Sequence, residues 1–131
     1  MTELPGDLLY TSDHEWLRRN DDGTVTIGIT EHAAEALGDL VYVELPEVGQ
    51  DVESSGEMAV VESVKAASDV YAPIAGNIVA VNEELADDPE KINNDPYEDG
   101  WIVRMTPSGD IDESDLLSPH DYQTLLDELD D

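Results

Sequence analysis

The sequence predicts a mainly β protein with short helices at one side and at the C-terminus. Apolar residues fall into segments of strand length, residues that favour turns separate those segments, and the last segment has a helical period. The chain has 131 residues, the size of one compact domain. We therefore expect a single domain over residues 1–131, with an aliphatic core that contains no Phe.

The first strong strand signal is the apolar segment 25–29, which follows the turn residues 20–23. Thr30 is placed to cap a short helix over residues 31–37, because a threonine hydroxyl accepts a hydrogen bond from a free N–H of the first turn. Gly38 is the expected C-terminal stop of this helix. This part of the chain therefore predicts a strand followed by one or two helical turns.

The middle of the chain is predicted to form short strands. Residues 40–45 are rich in β-branched and aromatic side chains, and Pro46 closes the segment. The strand-like segments that follow are residues 57–62, 70–73 and 76–81, with a turn over residues 74–77. We expect the core hairpin within about residues 57–81.

The C-terminal third predicts a loop, a strand and a helix. Residues 82–100 are polar and predict a loop with one helical turn, and residues 101–105 predict the last strand. A helix is expected over about residues 118–130, with Ser118 as its cap and Pro119 in the first helical position. Its apolar residues repeat at helical spacing: Tyr122, Leu125, Leu126 and Leu129. This helix is expected to pack back on the sheet.

Several classes of site and location are excluded or disfavoured by composition. Cys is absent, so disulfides, thiolate metal sites and cysteine nucleophiles are excluded. Residues 1–7 lack the basic start and apolar core of a signal peptide, and no apolar run approaches the roughly 20 residues of a membrane helix. We expect a cytoplasmic protein without a membrane partner.

The strongest global signal is charge. Asp and Glu number 33 against 5 Lys and Arg, which gives a formal net charge of -28. We interpret this halophilic composition as adaptation to a salty cytoplasm, since molar salt reduces the screening length to about 3 Å. The interleaving of acidic with apolar residues argues against an acidic disordered segment. No basic patch is present, so nucleic-acid binding is not expected.

The sequence carries no established catalytic or metal-binding motif, so we expect neither catalytic residues nor a metal site. The three histidines, which lie far apart and lack helical spacing, are His14, His32 and His120. The acidic segments 20–23 and 95–100 lack the alternating oxygen ligands and closing Glu of a calcium loop. They are interpreted as solvated turns.

The segment 62–69 lies between two strand-like segments and predicts a hairpin with Lys65 near its centre. A hairpin turn projects its central side chain into solvent, where a modifying enzyme can reach it. Small residues follow this lysine, whereas the other lysine, Lys91, resembles an ordinary surface residue. An ordinary surface role remains open for Lys65 too. A Schiff-base lysine needs a desolvated pocket, which a turn does not provide, so attachment of a carried group fits better.

The chain resembles the H proteins of the glycine cleavage system, a family of lipoylated carriers. The matches occur in family order over nearly the whole chain, at residues 10, 14–16, 28–30, 37–39, 43–46, 62–66, 68–69, 73, 76, 93, 96–97 and 100–101. The resemblance implies a lipoyl-domain-like fold, or barrel-sandwich hybrid: a β-sandwich of two quasi-symmetric halves with short peripheral helices and a C-terminal helix. It also implies that lipoate is attached covalently to the side-chain nitrogen of Lys65.

Two other carrier families share this hairpin. Biotin carriers usually place their lysine between two methionines, whereas Val64 and Ala66 flank Lys65 here, so biotin is disfavoured. The lipoyl domains of 2-oxoacid dehydrogenases usually have Asp before the lysine and lack the long flanking segments of this chain. They are the nearest alternative on the same fold.

The resemblance further implies a non-catalytic shuttle in glycine catabolism and one-carbon metabolism. The implied partners are a pyridoxal-phosphate glycine decarboxylase, which supplies the aminomethyl group, a tetrahydrofolate-dependent aminomethyltransferase, a dihydrolipoamide dehydrogenase and a lipoate-attaching enzyme. A cleft for the loaded arm is implied near His14, Glu15 and Asp69, where the Glu15 carboxylate would hold the protonated amine. That Glu15 and Asp69 are ordinary surface acids remains the alternative.

The large negative net charge predicts that the stability of the folded protein depends on salt concentration. We expect the free energy of unfolding to fall as potassium or sodium chloride is lowered from molar to dilute concentrations, because the repulsion among carboxylates is then less screened. Denaturant unfolding at a series of salt concentrations measures this dependence. Stability that does not change with salt would contradict the interpretation.

Overall fold

The computed structural model describes residues 8–54, 56–109 and 116–129. Within them the chain forms nine strands and four α-helices. In chain order these elements are β1 (Leu9–Tyr10), β2 (Glu15–Arg19), β3 (Val25–Ile29), α1 (Glu31–Leu37), β4 (Leu40–Glu44), β5 (Asp51–Val52), β6 (Glu57–Ser63), β7 (Ala67–Tyr71), β8 (Gly76–Val81), α2 (Glu84–Asp87), α3 (Lys91–Asn94), β9 (Val103–Pro107) and α4 (Pro119–Leu129). The predicted mainly β class with peripheral helices is confirmed.

The strands form two antiparallel sheets. The larger sheet has the order β1-β2-β3-β9-β8-β5, and the smaller has the order β4-β6-β7. Apolar residues of both sheets belong to one buried cluster, which includes Ile27 and Met105 of the larger sheet and Val61 of the smaller. The two sheets therefore share a core, as expected of a β-sandwich.

Side chains of the smaller sheet alternate between the core and the surface. Val43 of β4 lies opposite Val61 of β6, and both are buried. The next pair, Glu44 and Val60, points to the other side, since successive strand residues face opposite sides of a sheet. The outer face of this sheet therefore carries polar and partly exposed residues.

A second buried cluster lies under the terminal helix. Its buried residues are Leu8, Tyr10, Trp16, Tyr122 and Leu126. The rings of Tyr10 and Tyr122 stack with centroids 4.7 Å apart, and Trp16 Nε1 donates to the Pro96 carbonyl at 2.9 Å. The predicted packing of the C-terminal helix against the sheet is thus confirmed.

The boundaries of the terminal helix are close to those expected. Helix α4 begins at Pro119, and the Ser118 hydroxyl accepts from the Asp121 N–H at 3.1 Å, as a helix cap does. The Leu129 side chain and residue 130 lie outside what the structure describes. No helix in the described part of the chain is long and apolar enough to cross a membrane.

Several elements differ from the sequence prediction. Strand β2 was not predicted, because its two arginines obscure the apolar pattern and pairing with β1 and β3 stabilises it. The last strand begins at Val103, two residues later than expected. Strand β7 begins at Ala67, before the predicted segment 70–73, because its first three residues are exposed and give no pattern of buried apolar residues. Residues 82–100 contain two single-turn helices instead of one. Pairing between strands that are distant in sequence determines where these strands lie, and short sequence patterns do not predict such pairing.

Candidate functional site

The turn between β6 and β7 confirms the predicted hairpin and exposes Lys65. The Ser63 N–H donates to the Ala66 carbonyl at 2.7 Å, which closes the turn. The Ser63 hydroxyl also accepts from the backbone N–H groups of Lys65, at 3.3 Å, and Ala66, at 3.1 Å. Val64 is 84% exposed, and Lys65 is exposed beside it. A rigid turn, closed by one serine, therefore presents the amine to solvent.

The stem of the Lys65 side chain lies over the end of helix α1. A β-carbon built on Gly38 would stand 3.3 Å from Lys65 Cε, and Gly38 has a φ of 88°. Asn93 fixes this place, since its amide donates to the Gly38 carbonyl at 2.8 Å and accepts from the Leu40 N–H at 3.0 Å. The lysine side chain therefore lies over the backbone of Gly38, which has no side chain and is held in place by Asn93.

A polar hollow of about 360 Å³ lies at the far end of β7. Its lining residues are Thr11, Ser12, Asp13, Glu15, Ser54, Tyr71, Ala72 and Pro73. From Ala67 to Tyr71 the strand advances four residues, or about 13 Å at roughly 3.3 Å per residue. The hollow and the lysine are therefore connected by a single strand.

Glu15 is the buried acid of this hollow, with only 2% of its surface exposed. Its carboxyl accepts from the Thr11 hydroxyl at 2.9 Å and from the Tyr71 N–H at 3.1 Å. Burial raises the pKa of Glu15 to about 7, and the negative charge of Asp13 adds to this, while the two hydrogen bonds oppose it. Glu15 therefore changes between its protonated and its ionised form near neutral pH.

The other two predicted cleft residues are not among those that line the hollow. Asp69 is exposed on β7 and lies opposite Val60, on the outer face of the smaller sheet. His14 Nδ1 lies 2.8 Å from the Tyr122 hydroxyl, and its ring is 4.6 Å from that of His32. Burial lowers the pKa of His14, as does the nearby His32. Of the three, Glu15 alone is among the residues that line the hollow.

Several residues of the site were missed at the sequence level. Tyr71 contributes its backbone N–H to Glu15, so its side-chain identity gives no signal. The hydroxyl of Thr11 reaches Glu15 because of the turn that precedes β2. His14 and His32 are neighbours in space, yet the described residues contain no group of three or more His, Asp or Glu side chains suited to a metal ion.

Similarity to known proteins covers nearly the whole chain. Residues 8–129 match the family described as "Glycine cleavage H-protein". The chain belongs to this family. It is 60% identical over 126 residues to the glycine cleavage system H protein of a Psychrobacter species, a match that covers 96% of the chain and 100% of that relative. The corresponding protein of Klebsiella pneumoniae is 56% identical over 128 residues, covering 98% of the chain and 99% of the relative.

A solved structure agrees with both the family and the fold. The crystal structure of a glycine cleavage system H protein from Mycobacterium marinum superposes with a TM-score of 0.86 at 43% identity, covering 95% of this chain and 99% of that one. The lipoyl-domain-like β-sandwich is thus confirmed. Members of this family are lipoyl carriers of glycine cleavage and hold lipoate covalently on a lysine, so this chain is a carrier component and not a catalyst.

The raised pKa of Glu15 predicts how stability depends on pH. The folded pKa of about 7 exceeds the ordinary value of 4.5, so the folded state keeps the proton longer. Its contribution to stability is present below the unfolded pKa and is lost as pH rises through the folded one. We expect the free energy of unfolding of Glu15→Gln, relative to wild type, to rise by about 2 kcal/mol between pH 5 and pH 8.

Denaturant unfolding of both proteins across this pH range measures the difference. The exposed Glu128→Gln is the matched control, since it removes the same charge without removing a buried acid. Parallel pH profiles for Glu15→Gln and wild type would contradict the raised pKa.

Proposed function

We propose that the side-chain nitrogen of Lys65 is the atom to which lipoate is attached. The observation that carries this proposal is the position of an exposed lysine at the β6–β7 turn of a lipoyl-carrier fold. Gly38 beneath the lysine and the small Ala66 beside it leave room for a modifying enzyme and for the attached chain. When bound, the lipoyl group supplies a disulfide that takes up the aminomethyl group and electrons.

In this proposal the protein itself presents the attached arm to other enzymes and shelters the arm when it is loaded. Ser63 holds the turn rigid, so the attached arm pivots from a fixed point. We propose that the loaded arm docks in the hollow at the far end of β7. The carboxylate of Glu15 there holds the protonated amine by a charge-assisted hydrogen bond, and Asp13 adds negative charge. Exclusion of water from this site would slow hydrolysis of the adduct.

The remaining residues of the proposed cleft support Glu15. His14 is held by Tyr122, which fixes the backbone immediately before Glu15. Asp69 lies on β7 between Lys65 and Tyr71, so its exposed carboxylate attracts the amine along the path from the turn to the hollow. In this proposal Glu15 binds the amine, whereas His14 and Asp69 position or attract it.

The partners follow from the carrier role. We propose that Lys65 serves in turn a pyridoxal-phosphate glycine decarboxylase, a tetrahydrofolate-dependent aminomethyltransferase and a dihydrolipoamide dehydrogenase, after a lipoate-attaching enzyme has modified it. We also propose that the chain acts as one domain in the cytoplasm. The net charge of -28 supports salt adaptation as a further proposal.

Attachment at Lys65 predicts a specific mass change. Expression with a lipoylation system should add one lipoyl group to the peptide that contains Lys65, and Lys65→Arg should abolish the addition because arginine has no acylable amine. Lys91→Arg, which changes the half-buried lysine of α3, should leave it intact. Intact-mass and peptide mass spectrometry measure both.

Only unmodified wild-type protein in that experiment would reject the proposal. Borohydride trapping of a carbonyl substrate on Lys65 would instead favour a lysine-based enzyme. Partner binding that survives Lys65→Arg, without any modification of wild type, would favour an acidic interaction protein.

The role of Glu15 predicts the lifetime of the adduct. Glu15→Ala should shorten the half-life of the aminomethyl adduct severalfold, because the amine loses its charged acceptor and water enters the hollow. Glu84→Ala, at an exposed position on α2, is the matched control. Mass spectrometry of the loaded protein over time gives the half-life, and an unchanged value for Glu15→Ala would reject the docking role.

A further inference from the structure

The hydroxyl of Tyr122 lies between two segments that are far from it in the chain. It is 2.8 Å from His14 Nδ1, in the turn before β2, and 2.7 Å from Thr30 Oγ1, at the start of α1. The tyrosine ring is fully buried and stacks on the ring of Tyr10. Burial raises the pKa of Tyr122 above its usual value, so the hydroxyl keeps its proton. Tyr122 therefore links the terminal helix to both segments.

His14 has a backbone conformation that needs support. Its φ of 69° lies in the left-handed region, and no other residue with a side chain has a positive φ in the part of the chain that the structure describes. The Thr30 N–H donates to the His14 carbonyl at 2.9 Å, and the His14 N–H donates to the Thr11 carbonyl at 3.1 Å. Such a conformation costs free energy and persists only where the surrounding contacts fix it.

The turn that ends at His14 also holds the carboxyl of Glu15. The Thr11 hydroxyl donates to Glu15 Oε1 at 2.9 Å. The same hydroxyl accepts from the backbone N–H groups of Asp13, at 3.2 Å, and Glu15, at 3.1 Å. A change of the backbone at His14 would therefore move both Thr11 and Glu15 relative to the hollow.

We propose that Tyr122 is a positioning residue for Glu15: its hydroxyl holds His14 in the left-handed conformation that directs the carboxyl into the hollow. The proposal rests on the proposed function of Glu15, which is to bind the protonated amine of the loaded arm. Among the residues that the structure describes, none of those that line the hollow belongs to α4. The terminal helix would thus act on the bound amine without contacting it.

A role for Tyr122 in attaching α4 alone predicts a different result. The stacking of the ring on Tyr10 supplies such attachment, and Tyr122→Phe keeps the ring while removing the hydroxyl. The half-buried ring of His14 then loses its partner on α4 and can turn toward solvent, which releases the turn. The ionisable groups around this ring, His32 and Asp13, are not changed by the substitution. Any change at the hollow then comes from the lost hydroxyl.

The test compares Tyr122→Phe with Tyr97→Phe. The Tyr97 hydroxyl accepts from the Glu31 N–H at 3.2 Å, so each substitution removes a tyrosine hydroxyl that bonds to the start of α1. Only the Tyr122 hydroxyl also bonds to His14. The titration of the Glu15 carboxyl is followed by NMR in the unmodified full-length protein, and the adduct half-life by mass spectrometry in the loaded protein. Thermal unfolding checks that the variants fold.

We expect Tyr122→Phe to lower the pKa of Glu15 from about 7 by about one unit, because burial is the largest cause of its raised value and a released carboxyl is better hydrated. The adduct half-life should shorten severalfold, since the acceptor of the amine is misplaced. His14→Ala, which removes the other partner of the hydrogen bond and leaves α4 intact, should have the same two effects. Tyr97→Phe should have neither.

The substitutions are also combined with Glu15→Ala. If Tyr122 acts through Glu15, Tyr122→Phe should not shorten the half-life further in the Glu15→Ala protein. A further shortening there, an unchanged Glu15 titration in Tyr122→Phe and His14→Ala, or equal shifts in Tyr122→Phe and Tyr97→Phe would each overturn the positioning role. If the titration shifts while Glu15→Ala leaves the half-life unchanged, the amine-binding role is rejected and the positioning of the carboxyl by Tyr122 is supported.

Discussion

The hydrogen bond from the Tyr71 N–H to the Glu15 carboxyl ties the two sheets together beside the site. Glu15 belongs to β2 of the larger sheet, and Tyr71 ends the β7 strand that descends from the Lys65 turn. The buried acid therefore has two effects: it fixes the base of the β6–β7 hairpin, and it supplies a group that ionises near neutral pH. Its burial costs stability at high pH, which is characteristic of a residue placed for function.

The terminal helix supports the same region from the other side. The Tyr122 hydroxyl lies 2.8 Å from His14 Nδ1 and 2.7 Å from Thr30 Oγ1, although these residues are far apart in sequence. His14 adopts a φ of 69°, a left-handed conformation that is uncommon for residues with a side chain. This turn directs Glu15 inward immediately after it, so α4 and Thr30 at the start of α1 both stabilise the backbone that positions the acid.

Short sequence patterns predicted the features that depend only on residues close together in the chain. Thr30 caps α1 and Gly38 ends it as expected, and the position of segment 62–69 between two strand-like segments predicted the exposed turn at Lys65. Strand β2 and the polar hollow were not predictable in this way, because each depends on which strands pair. The orientation of His14 away from the hollow likewise depends on a tyrosine 108 residues further along the chain.

Gly38, beneath Lys65, would affect how the arm proposed at this lysine searches for an active site. With no side chain at Gly38, no branched group locks the lysine stem into one rotamer, while the hydrogen bonds of Ser63 hold the turn from which the stem extends. The cofactor would then sample a volume limited by its tether, and its effective concentration at any docked active site would be set by tether length. A fixed pivot with a free stem would let one carrier present its arm to differently shaped active sites.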